Sequence, residues 1–183
     1  MIICAGDIEN FSFAKPIGIG LIESAINLTQ LITRYCPDKL IFIGTAGSYG
    51  NFKIFDTVLS SSSSNLELCF LNNSCYSPIE NIIKIENQKS QTIVNSSNYI
   101  STNFELSKKF NLYGIGIENM EFFSVLSCAK KFNINAVGIF VITNFCNENA
   151  HNDFITNHKI AMTILEKYLV DHNIVSRETK GEV

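Results

Sequence analysis

Three short stretches of this chain combine residue types that can do chemistry. Gly116-Ile117-Glu118-Asn119-Met120-Glu121-Phe122-Phe123 sets a Met-Glu pair among apolar residues, where a helix is expected to begin. Thr143-Asn144 closes the next apolar run, with Asn144 standing 23 residues after Glu121. Phe42-Ile43-Gly44-Thr45-Ala46-Gly47-Ser48 takes an earlier apolar run into a glycine turn. A carboxylate accepts two hydrogen bonds from neighbouring hydroxyls, and a side-chain amide both donates and accepts. Held together, these groups suit the recognition of a sugar diol and a heteroaromatic base.

Each stretch alone has a plainer explanation. A glutamate in the first turn of a helix is favoured by the helix dipole and needs no ligand. An asparagine after an apolar strand can cap the chain's exit, and glycines serve tight turns. Backbone N–H groups in a turn at residues 44–50 would also cradle an anion or a polarised water. Open α/β sheets bind ligands at the carboxyl ends of their strands, which is where such a turn would lie.

The elements that must position these groups alternate in type. Short apolar runs predict strands at 1–5, 13–17, 39–43, 56–60, 92–94, 113–117 and 136–142. Apolar residues at 21, 22, 25, 28, 31 and 32 follow a helical period after Gly18-Ile19-Gly20, and Pro37-Asp38 ends that helix. Further helices are expected at 103–110, 119–132 and 153–170. Residues 61–90 carry little pattern, and the serines of 60–64 read as a strand-edge loop. Strands alternating with helices imply an α/β sandwich with helices on both sheet faces. One domain is expected over 1–172, with a frayed polar tail at 173–183.

Composition excludes several classes. The chain has 183 residues, 46% of them hydrophobic, and a net charge of −3. Its only arginines are Arg34 and Arg177, so it lacks the basic stripe of a nucleic-acid binder. No apolar run reaches membrane-spanning length. The first residues have neither the positive region nor the long apolar run of a secretory signal, so the expected location is cytoplasmic. The six cysteines at 4, 36, 69, 75, 128 and 146 form no Cys-x-x-Cys pair, and no histidine stands at ligand spacing from them. All six are expected to be reduced, and neither a metal nor a cofactor is expected. Gly18-Ile19-Gly20 begins like a dinucleotide fingerprint, but Glu23 stands where the third glycine belongs, so a strand-to-helix turn is the better reading. No phosphate-binding P-loop sequence is present.

Five motifs in order carry a resemblance. Gly18-Ile19-Gly20 opens a helix; Pro37-Asp38 leads through a strand to Gly44-Thr45-Ala46-Gly47. Phe55-Asp56-Thr57-Val58, Asn95-Ser96-Ser97-Asn98-Tyr99-Ile100 and Asn119-Met120-Glu121 follow, with ungapped spacing on to Thr143-Asn144. Over roughly residues 14–60 and 92–165 the chain resembles the purine nucleoside phosphorylase and nucleosidase superfamily. Within it, the pattern is most similar to the methylthioadenosine/S-adenosylhomocysteine nucleosidases, with purine nucleoside phosphorylases and futalosine hydrolase as relatives.

The resemblance implies a three-layer α/β/α sandwich around a mixed, mostly parallel sheet, here shortened. It implies cleavage of the N-glycosidic bond of a small-molecule purine nucleoside, in a homo-oligomer. Glu121 would hold the ribose hydroxyls, Met120 would pack on the sugar and Tyr99 would stack on the base. Ile100 would offer backbone hydrogen bonds, while Gly44, Thr45 and Thr143 would complete the site. Asn144 stands where the nucleosidases have an aspartate that protonates adenine; the family's 6-oxopurine enzymes use asparagine there, so a 6-oxopurine is implied. The phosphate-binding arginines of the phosphorylases fall at Asn10 and Phe42, which leaves phosphate poorly supported. Hydrolysis needs a base for water. Glu9 is the nearest candidate, with Asp7 beside it, although strict register would place the base at Phe11. Phosphorolysis, and a degenerate member that binds a purine or nucleoside without turnover, are the alternatives.

Overall fold

The structure is a computed structural model that describes residues 1–86 and 90–176. The first half of the chain gives β1 (Ile2–Cys4), β2 (Lys15–Pro16), α1 (Leu21–Tyr35), β3 (Lys39–Ser48), β4 (Thr57–Ser60), β5 (Ser62–Ser64) and α2 (Leu68–Leu71). The second gives β6 (Ile82–Lys84), β7 (Ile93–Asn95), α3 (Phe104–Leu112), β8 (Ile115–Glu118), α4 (Phe122–Phe132), β9 (Asn135–Phe145) and α5 (Ala150–Asp171).

The long strand β3 organises the sheet. On one edge it pairs in parallel with β9 from Lys39↔Asn135 to Ser48↔Phe145, with an irregularity between Ala46 and Gly47. On its other edge it pairs with β1 near its start and antiparallel with β8 at its end. β2 extends the sheet beyond β1, β4 beyond β9, and β7, β5 and β6 beyond β8. Most pairings are parallel; β3–β8, β4–β9 and β5–β6 are antiparallel.

Alternation along β3 and β9 divides the core into two layers. Leu40, Phe42, Phe140 and Ile142 pack with Leu28 and Ile32 of α1 and with Phe122, Val125 and Leu126 of α4. Ile43, Ile139 and Val141 pack on the opposite face with Ala161, Leu165 and Leu169 of α5. Strands buried on both faces read as continuous apolar runs, which is why these two were legible. The result is the expected three-layer α/β/α sandwich with a mixed, mostly parallel sheet. α1 begins at Gly20, whose φ of 81° lies in the left-handed region that glycine adopts freely. It ends at Cys36, immediately before Pro37.

Four expectations are corrected. The turn expected at 44–50 is not a turn: β3 continues to Ser48, because β9 and β8 supply ladder partners on both edges. Thr143 and Asn144 likewise lie inside β9, not at its exit. The serines of 60–64 are buried: Ser60 ends β4 and Ser62–Ser64 form β5, with Ser63 Oγ donating to the Val94 carbonyl at 2.7 Å and Ser64 Oγ to Asn95 Oδ1 at 2.9 Å. Cys69 and Cys75 form a disulfide with Cα atoms 5.4 Å apart, so not all six cysteines are reduced. At the C-terminus, Ile174 and Val175 pack against the α5 layer, and 177–183 of the expected tail lie outside the described residues.

Candidate active site

The carboxyl ends of β3, β8 and β9 meet the turn after β1 around a cavity of about 250 Å³. Glu9 enters from that turn. Its N–H closes the turn onto the Gly6 carbonyl at 2.9 Å, with Asp7 between them at a φ of 54°. The Glu9 carboxylate then folds over β3 and accepts the Thr45 N–H at 3.0 Å and the Thr45 hydroxyl. Thus the Thr45 N–H expected to cradle an anion already holds a carboxylate of the chain itself. Only 7% of Glu9 is exposed. Burial pushes its pKa up to about 7, and the two Thr45 bonds pull it partly back. Asp7 is exposed at the rim of the same cavity. Phe11, the position in strict register for a base, is buried in the α5 layer instead.

Glu121 sits where β8 passes into α4. It is 3% exposed, and its Oε1 accepts the Gly20 N–H at 2.9 Å. Asn119 Oδ1 accepts the backbone N–H groups of both Glu121 and Phe122 at 3.0 Å. The helix start is therefore satisfied by Asn119, and the Glu121 carboxylate is left for the cavity. Burial pushes Glu121 up to about 7; the Gly20 N–H opposes this, and the charge of Glu9 adds to it. A surface charge responding only to the helix dipole would not be buried this way.

Thr143 and Asn144 face the cavity from β9. The Thr143 hydroxyl donates to Asn144 Oδ1 at 2.8 Å, and Asn144 Nδ2 donates to the Phe145 carbonyl at 3.1 Å. That arrangement fixes the amide and leaves one Nδ2 hydrogen for a ligand. Asn157 of α5 donates to the Thr143 carbonyl at 2.9 Å and ties the strand end to the helix. Opposite, Glu118 of β8 accepts the Tyr49 hydroxyl at 2.8 Å and the Ser101 N–H at 2.9 Å.

The mouth is apolar. Tyr99 is 83% exposed, Ile100 and Ile8 are exposed, and Met120 is half-buried beneath them. Ile19, His151 and Phe154 complete the rim. Among the described residues no lysine or arginine lines the cavity. Arg34 lies exposed near the end of α1, its guanidinium over the Tyr35 ring, and Arg177 lies outside the described residues. Among the described residues, too, no group of three or more His, Cys, Asp or Glu is placed to hold a metal ion, and no helix is long and apolar enough to cross a membrane.

Of the residues singled out from sequence, Glu9, Asp7, Thr45, Tyr99, Ile100, Met120, Glu121, Thr143 and Asn144 all line this one cavity. Gly44 does not. It lies behind the site, where a Cβ would come within 2.7 Å of Glu9 Oε2, so its missing side chain makes room for that carboxylate. Sequence reasoning missed Glu118, Asn119, Ser97, His151 and Phe154 as lining residues. Asn119 was findable, since an asparagine three residues before Phe122 is a helix-capping signal.

No family model matches the chain. Its fold is nevertheless shared by solved structures. A Helicobacter pylori methylthioadenosine nucleosidase variant, solved with 5'-methylthioadenosine in its active site, superposes with a TM-score of 0.77 at 16% identity, covering 92% of this chain and 94% of that one. The native futalosine hydrolase of Helicobacter pylori gives the same four values. A Streptococcus pneumoniae methylthioadenosine/S-adenosylhomocysteine nucleosidase, bound to a transition-state inhibitor, gives 0.75 and 14%, covering 92% and 95%. The chain therefore has the fold of the nucleoside phosphorylase and nucleosidase superfamily, and the similarity runs nearly end to end. Among curated proteins, 126 residues align at 27% identity with the bifunctional chorismate mutase/prephenate dehydratase of Buchnera aphidicola. The chain spans 31% of that protein's length, and the alignment takes in 63% of this chain, which carries no assignment.

Proposed function

We propose that this protein hydrolyses the N-glycosidic bond of a purine nucleoside, with a 6-oxopurine as the base. The observation that carries this reading is the pairing of Glu9 and Glu121 in a cavity that no lysine or arginine lines among the described residues. Glu121 is the acceptor for the ribose diol. Glu9, held by Thr45 and poised near neutral pH, is the base for water; Asp7 is the rival at the rim. Water adds its oxygen to C1' and gives a proton to Glu9 as the bond from C1' to N9 breaks. The departing electron pair moves onto the base, which leaves as an anion with the Nδ2 hydrogen of Asn144 on N7 and takes its proton from water on release. Tyr99 stacks on the base, Met120 packs on the sugar, and the Ile100 backbone reaches the base edge. Relatives of this fold acting on nucleosides support the reaction class.

Phosphorolysis is the second reading, and the acidic cavity weighs against it, since phosphate would meet carboxylates without a cation. A non-catalytic purine binder is the third. We also propose a homo-oligomer in the cytoplasm. Exposed Ile8 and Ile19 stand at the mouth, and Ile19 continues with exposed Ile22 and Ile26 along a neighbouring depression, an apolar surface that a second copy would cover. A sedimentation mass near 20.5 kDa at micromolar protein would contradict this.

The deciding experiment incubates purified protein with inosine, guanosine, futalosine and methylthioadenosine, with and without phosphate. Release of free base and ribose without phosphate supports hydrolysis. Phosphate-dependent ribose 1-phosphate supports the second reading, and tight binding without any free base supports the third.

A further inference from the structure

One edge of β3 is split. β1 pairs with it as far as Phe42, and β8 takes over at Gly47. Among the described residues no strand pairs with that edge in between. Thr45 sits in the split, and side chains stand in for the missing strand. Its N–H donates to the Glu9 carboxylate at 3.0 Å, and its carbonyl accepts Asn119 Nδ2 at 3.2 Å. Buried backbone groups need partners. Here they come from a carboxylate on the turn after β1 and an amide at the end of β8.

Asn119 is committed on every side. It is 9% exposed, and its own N–H donates to the Asn95 carbonyl of β7 at 3.0 Å. Its Oδ1 takes the two N–H groups at the start of α4. Of the two Nδ2 hydrogens, one goes to Thr45 and the other faces the Glu121 carboxylate, favouring its ionised form. A side-chain amide has two donors and one oxygen that accepts twice, so this one has no capacity left over. A single planar group therefore joins the residue that holds Glu9 to the carboxylate of Glu121.

Resting on the proposed hydrolysis, we propose that Asn119 is a positioning residue that holds the water-activating Glu9 and the sugar-holding Glu121 in register across the split. It acts through Thr45 and Glu121, not on the substrate. The water that Glu9 activates must reach C1' of the same ring whose hydroxyls Glu121 grips. Misplacing reacting groups by about 1 Å can cost about 10²-fold in rate, so the spacing of the two carboxylates matters as much as their chemistry.

An asparagine that only caps α4 would be replaceable, since asparagine, aspartate and serine cap about equally well. Asn119→Asp keeps the size and the accepting oxygen but removes both donated hydrogens. Asn119→Ser keeps a capping oxygen, adds no charge and is too short to reach Thr45. Calorimetry with 9-deazainosine, whose C–C bond to the sugar cannot be hydrolysed, and with 9-deazahypoxanthine, the same base alone, measures what the sugar adds to affinity. That ratio should fall about 10- to 100-fold in both variants, the range of one charge-assisted hydrogen bond, with the base alone bound within about threefold of wild type. If one variant does not fold, the other decides. An unchanged ratio overturns the assignment, whether both ligands keep their affinity or both lose it, the second being the mark of a merely structural asparagine. A wild type that gains nothing from the sugar overturns it too. The two proposals fail separately. A ratio that falls in the variants of a protein releasing no base from any nucleoside supports Asn119 and sinks hydrolysis. Nucleoside cleavage at the wild-type rate in Asn119→Ser does the reverse.

Discussion

Glu121 accepts the backbone N–H of Gly20, 101 residues away, at 2.9 Å. That bond ties the start of α1 to the start of α4 through a carboxylate that also faces the cavity. The Gly20 N–H and Asn119 hold the carboxylate in place.

Glu121→Ala therefore separates sugar from base. Removing the carboxylate should lower nucleoside affinity or turnover by about ten- to a thousand-fold, given about 1.5–3 kcal/mol per charge-assisted bond. Free hypoxanthine should bind with little change, because its contacts lie with Tyr99 and Asn144. Calorimetry on both ligands checks this, and equal nucleoside affinity in wild type and variant would remove Glu121 from the site.

The two buried carboxylates fix the pH dependence of the reaction. Both Glu9 and Glu121 are pushed up to about 7. The base must be ionised to accept a proton, so kcat/KM should rise with pH and level off above about 7, with apparent values that belong to the pair. Glu9→Gln should lose about 10²- to 10⁴-fold in rate. A flat profile between pH 5 and 8, or full activity in Glu9→Gln, would dismiss Glu9 as the base.

Stability should run the opposite way. Glu9 takes up its proton near pH 7 when folded but near 4.5 when unfolded. The folded state then binds more protons between those values, and stability falls as pH rises through that window. Above pH 7 the charged, buried Glu9 costs on the order of 3 kcal/mol. Glu9→Gln should therefore raise Tm at pH 8 and leave it nearly unchanged at pH 4, measured by thermal unfolding. A lower Tm for the variant at pH 8 would refute this.

Gly47→Ala tests the wall between Glu118 and Asn144. The added Cβ would fall 2.8 Å from Cys146 Sγ and 3.0 Å from Asn144 Nδ2, so one of them must move. Overpacking of this kind typically costs about 1–3 kcal/mol. Purine affinity should fall more than stability alone explains, since Asn144 is displaced from its Thr143 bond. An unchanged affinity in a variant that melts normally would show that the base binds elsewhere.

The sequence disclosed those parts whose burial pattern and chemistry coincide. β3 and β9 are apolar on both faces and stood out as runs, and Glu121 stood out as a charge among Met120, Phe122 and Phe123. Glu118 escaped notice because a polar residue ending a strand normally faces water, and only the pairing at Gly47 turns it inward. β5 escaped because a run of serines reads as a loop, and nothing in it announces a strand whose Ser63 and Ser64 hydroxyls bond to Val94 and Asn95 of β7. The Cys69–Cys75 pair escaped because sequence spacing alone does not say which thiols the fold brings within bonding distance.

The serine strand has a consequence for fidelity of assembly. A one-residue slip ordinarily turns every side chain of a strand to the wrong face. Within residues 60–64 such a slip would exchange serine for serine, and the sheet could not tell the two alignments apart by side-chain chemistry. The correct frame must therefore be imposed from the ends. Leu59 N–H is held by Gln91 Oε1 at 2.7 Å, Leu66 N–H by Asn95 Oδ1 at 2.9 Å, and Asn65 Nδ2 reaches the Ser96 carbonyl at 2.7 Å. These three amides, none of them in β5, act as the stops that keep a degenerate ruler aligned.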